Sequence, residues 1–185
     1  MTMLFERPGP ANTEKTLSAA IQEAKERGIT HLVVASTFGD TGVLCARMIQ
    51  GKGLQLVVVA HNTGFKAAGV QEFDPEKKRE IESLGGTVLF GTMVLRSLGT
   101  AIRGKLGGSE QDLVAHTLRI LGQGVKVCAE IAAMAADAGL VPMEDIIAIA
   151  GTGRGADTAA VIHPQPSNMF FDMKIRDLIA KPFGF

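Results

Sequence analysis

At 185 residues and 46% apolar, the chain is long enough to bury a core without disulfide or metal staples, and its length fits one domain over residues 1–185. Its 19 Lys and Arg balance 19 Asp and Glu, so the global basic bias of a nucleic-acid or anionic-membrane binder is missing, and the absence of Trp and Tyr leaves only Phe for stacking on bases. The two cysteines, Cys45 and Cys128, sit in apolar helical patterns with no CxxC or Cys/His ligand spacing, which suits buried thiols in a reducing cytoplasm and predicts no metal.

The opening MTMLFERPGPANTEK lacks a basic region followed by a long apolar segment, and no apolar run reaches bilayer length, so an unexported cytoplasmic protein is expected. Asn12 is placed to cap a helix through TEKTLSAAIQEAKER, whose Leu17, Ala20, Ile21 and Ala24 share one face, and Gly28 to end it. A buried strand follows at His31–Ala35, then a turn, then a helix near Thr41–Gln50 stopped by GKG. LQLVVVAH is the second strand and opens into a long loop, HNTGFKAAGVQEF. Asp74 and Pro75 start a third helix through PEKKREIESLGG, stopped at Gly85 or Gly86. Its charge run reads as a solvated face, with the like-charged Glu76–Glu80 pair showing no optimised pairing.

TVLFGT is a short third strand, followed by a loop carrying Thr92 and Arg96. Ser109 begins a helix-rich run with a break at GQG. DIIAIAG, Asp145 to Gly151, is the fourth strand, and Thr158–His163 a fifth. The alternation predicts an α/β three-layer sandwich: a mostly parallel sheet of five strands, or a slightly larger mixed one, with helices on both faces. The last strand is expected to be antiparallel, because no crossover helix precedes it. The tail NMFFDMKIRDLIAKPFGF adds an edge strand or a short helix.

In such a fold the loops after the parallel strands open on one edge, where ligands bind. Ser36, Thr37, Phe38, Gly39, Asp40, Thr41 and Gly42 form the first of these loops. Glycines admit close approach of an anion, hydroxyls donate to it, and the first helical amides are unpaired donors. The same residues also fit a plain tight turn with Asp40 or Thr41 capping the helix. Gly151, Thr152, Gly153, Arg154, Gly155, Ala156, Asp157 and Thr158 form the second, and an arginine among three glycines supplies a permanent positive fork for phosphate. The alternative is a surface Arg154–Asp157 pair, a contact of little worth. Neither loop is a Walker A sequence or a dinucleotide fingerprint.

The order of elements and these two loops resemble the carboxyl-terminal α/β domain of pyruvate kinase, as a free-standing chain. MAADAGLVPMEDIIAIAGTGRGADTAAVIHP looks like the last third of that domain, and VVASTFGDTGVLCARM like its first strand, phosphate loop and helix. The resemblance implies a regulatory fold whose two loops hold a sugar-bisphosphate effector: Ser36, Thr37, Gly39 and Thr41 on one phosphate, with Gly153, Arg154 and Gly155 closing over the ligand. Asp40 departs from the pattern, standing where a basic or neutral residue is common. An acid there repels a second phosphate unless it turns away or caps the helix, so a monophosphate fits better. The kinase's barrel domain has no counterpart here, and kinase activity is not implied.

Free-standing proteins of this resemblance are also regarded as candidate flavin mononucleotide (FMN) binders. His61, Asn62, Thr63, Gly64 and Phe65 are then available for the flat ring, with Phe38 as a second stacking face. His61 and His163 lie at strand ends but have no carboxylate partner at a set spacing, and His31 and His116 are scattered. The expected function is binding of FMN or a related phosphate ester. A ligand-free structural or oligomerisation domain, with identical chains as partners, and a flavin-dependent enzyme stay open as alternatives.

Overall fold

Uninterrupted apolar runs suit strands covered on both faces, and HLVVA, QLVVVA and IIAIA occupy the middle of one sheet for that reason. A computed structural model describes residues 1–184; Phe185, the last residue of the tail, lies outside the described residues. Along the chain come β1 (Met3–Phe5), α1 (Thr13–Arg27), β2 (His31–Ala35), α2 (Asp40–Met48), β3 (Gln55–Ala60), α3 (Pro75–Ser83) and β4 (Thr87–Phe90). Then follow α4 (Ser97–Leu106), α5 (Glu110–Arg119), α6 (Gln123–Asp137), β5 (Ile146–Ala150), β6 (Thr158–His163) and β7 (Lys174–Pro182), with short 3-10 turns at Pro10–Asn12 and Ser167–Asp172.

The sheet has seven strands in the order β1-β7-β6-β5-β2-β3-β4. It is the larger mixed form of the expected α/β sandwich: β5, β2, β3 and β4 are parallel, and β6 is antiparallel to both β5 and β7. The fifth strand expected from the sequence, Thr158–His163, is antiparallel to the fourth as expected, and two further strands, β7 and β1, extend the sheet beyond it. The tail supplies both a 3-10 turn and β7, and β7 is not an edge, because β1 covers it in parallel.

Side chains alternate between two cores. Leu32, Val34, Leu56, Val58, Ile147 and Ile149 pack with α1, α2 and α3 on one face. Val33, Val57, Val59, Ile146, Ala148 and Ile162 pack under α6 on the other. Asp74 caps α3 as its sequence suggests, accepting from Glu76 N at 2.8 Å, and Ser109 caps α5 by accepting from Asp112 N at 3.2 Å. The Asn12 side chain does not cap α1. Asn12 is already helical in backbone (φ −90°, ψ −7°), which turns its side chain from the first amides, and its Nδ2 donates to Arg7 O instead. The GQG break falls at Gly122, between α5 and α6.

Two features bring α6 and the β5–β6 loop onto the carboxyl edge. A Cβ at Gly124 would lie 2.0 Å from Thr158 Oγ1, so only glycine lets the first turn of α6 press on the start of β6. Gly155 has φ +67°, and a Cβ there would meet Pro10 Cα at 2.6 Å, so this loop lies directly on the segment leading into α1.

Candidate functional site

Because β3 lies on one side of β2 and β5 on the other, the chain leaves the carboxyl ends of β2 and β5 in opposite directions, opening a crevice between their loops. A cleft of about 880 Å³ occupies this place, within the range of small-ligand sites. The β2–α2 loop contributes Ser36, Thr37 and Phe38, the first turn of α2 contributes Asp40 and Thr41, and the β5–β6 loop contributes Gly151, Gly153, Arg154 and Gly155. His61, at the end of β3, and Arg96, before α4, complete the sequence-derived residues on its wall.

The two loops touch through Arg154, whose guanidinium lies over the Phe38 ring at 4.0 Å from its centroid. Phe38 thus holds the arginine, and that ring face is not open to a ligand ring. Arg154 has no ion-pair partner among the described residues, and the alternative Arg154–Asp157 pair does not form. Asp157 is fully buried and acts within the fold instead. Its Oδ2 accepts from Gly9 N at 2.9 Å and Thr152 N at 3.1 Å, and its Oδ1 from Thr158 Oγ1 at 2.9 Å. Thr13 Oγ1 accepts from Ala156 N at 3.0 Å. Ala156, Asp157 and Thr158 are consequently corrected from ligand contacts to the buried clamp that holds the loop against residues 9–16.

Within the first loop, Ser36 Oγ accepts from Gly42 N at 3.3 Å, which orients the first turn of α2. Gly39 occupies the N-cap position of α2 without a side-chain cap, so neither Asp40 nor Thr41 caps this helix. Asp40 pairs with Lys77 of α3, and its charge is partly offset there. Gly39 and Gly42 are buried behind the cleft wall, with Lys77 beside the first and Ile81 and Val58 beside the second.

Of the long loop after β3, only His61 reaches the cleft; Asn62, Thr63, Gly64 and Phe65 do not line it. The loop binds to itself, with Gly64 N on Val70 O at 2.9 Å and Gln71 Nε2 on His61 O at 3.1 Å. Phe65 stacks against His61 at 3.9 Å between centroids and carries the Arg96 guanidinium at 4.5 Å, so it supports two lining residues. His61 Nδ1 lies 3.4 Å from Glu72 Oε2, a partner eleven residues away that spacing alone does not signal. Thr92 is exposed outside the cleft, and Met93 takes the wall position. Thr152 is likewise off the wall.

The wall that sequence reasoning missed is α6. Gln123, Lys126, Val127, Glu130, Ile131 and Met134 recur at helical spacing and face the cleft. Lys126 and Glu130 are 3% and 1% exposed and ion-paired at 2.5 Å, with Glu130 Oε1 also accepting from Leu95 N at 2.9 Å. Burial draws the Lys126 ammonium below the ordinary lysine value; Glu130 opposes that shift, while Arg119 and Arg96 add to it. Lys15, Arg96, Arg119 and Arg154 line the cleft with no ion-pair partner among the described residues, and Glu14 is the unpaired carboxylate beside them. Burial pushes the Cys45 thiol up to about 12 and raises Cys128 too, which keeps both inert. Among the described residues no three of His, Cys, Asp and Glu gather within reach of a metal ion, and no helix is long and apolar enough to cross a membrane.

No family model matches the chain. Among solved structures it is similar to O-ureido-L-serine synthase, with a TM-score of 0.32 and 19% identity over 59% of this chain and 29% of that one. The chain thus spans under a third of that protein's length, and so loose a superposition lends it no function.

Proposed function

We propose that the cleft binds a small phosphorylated ligand, FMN or a related phosphate ester, and that the chain has no pyruvate kinase activity. One observation carries the reading: in a chain with equal numbers of positive and negative side chains, four cations with no ion-pair partner among the described residues line a single cleft. Arg154 is the phosphate ligand of choice, since its planar fork is held by Phe38 and lines the same cleft as Ser36, Thr37 and Thr41. The residues present suit FMN: the loops would take its phosphate, and Leu44, Val59, Val127, Ile131 and Met134 offer an apolar wall for its ring. Bound flavin would supply hydride or electron exchange. The likeness to the pyruvate kinase carboxyl-terminal domain supports the same site.

Arg154→Ala tests the assignment. It is expected to weaken FMN binding by about 1.5–3 kcal/mol, read from flavin fluorescence, which has no Trp or Tyr background here. Unchanged affinity removes Arg154 from the site.

A second reading, an oligomerisation domain, draws on Leu98, Leu106, Leu113 and Ile120, which are exposed along α4 and α5. Sedimentation separates the two: that reading requires a self-association that is indifferent to phosphate esters.

A further inference from the structure

The buried Lys126–Glu130 pair is more than either structural packing or phosphate binding needs. A lysine that only steadied an anion would be worth most with its ammonium unpaired, as Arg154 is. Lys126 is instead joined to a carboxylate on the same helix face, and that carboxylate is fixed by the Leu95 amide, so amine and acid stand together on the cleft wall, almost without solvent contact. The carboxylate is within hydrogen-bond reach of the lysine nitrogen, the geometry that proton transfer between them requires.

We infer that Lys126 forms an imine with the carbonyl group of a phosphorylated aldehyde or ketone, with Glu130 as its proton partner. The inference rests on the phosphate reading of the same cleft and narrows its ligand class. In the first step the ammonium gives a proton to the Glu130 carboxylate, and the freed lone pair forms a bond to the carbonyl carbon while the carbonyl electrons move to oxygen, which takes up the second amine proton. In the next, the nitrogen lone pair expels that hydroxyl as the Glu130 proton reaches it, releasing water. The balance is carbonyl plus lysine ammonium giving iminium plus water, with no oxidant or further reactant.

Three features favour this chemistry at Lys126 over any surface lysine. Burial, reinforced by Arg119 at the end of α5 and Arg96 before α4, favours the neutral amine, while Glu130 restrains the shift without cancelling it. A water-poor wall favours dehydration of the adduct. The unpaired cations around the cleft would raise the local concentration of a phosphorylated carbonyl compound.

The main test uses the wild-type chain, so its outcome does not depend on a variant folding. The protein is incubated with glyceraldehyde 3-phosphate or with glyceraldehyde in the presence of cyanoborohydride, with and without FMN, and the reduced adducts are located by peptide mass spectrometry. The expected result is an adduct at Lys126 forming at least about ten times faster than at any other lysine, faster with the phosphorylated aldehyde, and suppressed by FMN. Glu130→Gln, which keeps an oxygen for Leu95 N, is expected to slow it by about tenfold or more. Equal labelling of Lys126 by both aldehydes sustains its imine chemistry but overturns the phosphate reading. Even labelling of surface lysines with Lys126 untouched, while FMN still binds, overturns the imine and leaves the phosphate reading standing.

Discussion

Two groups of charged side chains, one at each edge of the sheet, are partnered differently. At the amino edge, Asp145 accepts from Arg176 Nε at 2.8 Å and faces His163 Nδ1 at 3.2 Å, forming a partnered cluster. At the carboxyl edge, Lys15, Arg96, Arg119 and Arg154 surround a cleft with no such partners among the described residues. Both edges belong to the same strands, and the chain's overall charge is balanced. At the carboxyl edge Arg96 and Arg154 are held by stacking on Phe65 and Phe38 rather than by carboxylates, which is the feature the proposed ligand site draws on. A parallel contrast lies between two Lys–Glu pairs of identical i,i+4 spacing: Lys78–Glu82 stands in solvent on α3, and Lys126–Glu130 is buried on α6.

The largest effect should come from breaking the second contrast. Glu130→Ala leaves the Lys126 charge and the Leu95 amide buried without partners, and is expected to cost about 3–5 kcal/mol in urea unfolding. Glu82→Ala, at the same spacing, should cost under about 0.5 kcal/mol. Similar values for the two would show that burial does not distinguish the pairs.

Within the carboxyl edge itself, Asp157 and Arg154 should separate fold from function. Asp157→Ala strips the acceptor from the buried Gly9 and Thr152 amides and is expected to lower stability by about 1–3 kcal/mol. Arg154→Ala, three residues earlier, should change stability by no more than about 0.5 kcal/mol. Reversal of that order in urea unfolding would make the arginine the structural residue.

The smallest effect is at the amino edge and depends on pH. Desolvation works to raise Asp145, but its bonds to Arg176 and His163 prevail and hold it below the usual carboxylate value. A carboxylate whose folded value is depressed contributes stability in full above its unfolded value, near 4, and loses it as pH falls through the folded value. Asp145→Asn should therefore be less stable than wild type at pH 7, with the gap closing toward pH 3. A gap independent of pH would assign the loss to something other than the ionised carboxylate.

Much of this architecture is legible in the sequence because its strands are continuous apolar runs and its loops are concentrated in glycine and hydroxyls. The strand His31–Ala35 falls where composition puts it, and the loop that starts at Ser36 is shorter than its composition suggests, because α2 already begins at Asp40. β1 is not legible, since two of its three residues are exposed and its partner, β7, is at the opposite end of the chain. α6 escapes for a different reason. It is buried nearly all round, so no polar face marks which side meets the sheet and which the cleft. Lys126 and Glu130 then look like any solvated helical pair; the available signal was that they share a stripe with Val127, Ile131 and Met134. Asp157 misleads in the other sense, because an acid in a glycine loop reads as a ligand contact until its two amide donors, one of them 148 residues away, are seen.

The central claim, one phosphate cradle beside an apolar wall, is tested most directly by titrating the protein with FMN, riboflavin and fructose bisphosphate. Riboflavin lacks the phosphate and the sugar lacks the ring. Asp40 still lines the cleft beside the cradle, although Lys77 partly offsets its charge, and the apolar wall serves only a ligand with a ring. The expected order is therefore FMN tightest, with riboflavin weaker by about tenfold or more and the bisphosphate unable to displace FMN at equal concentration. Riboflavin binding as tightly as FMN, or the bisphosphate displacing it, would contradict the account.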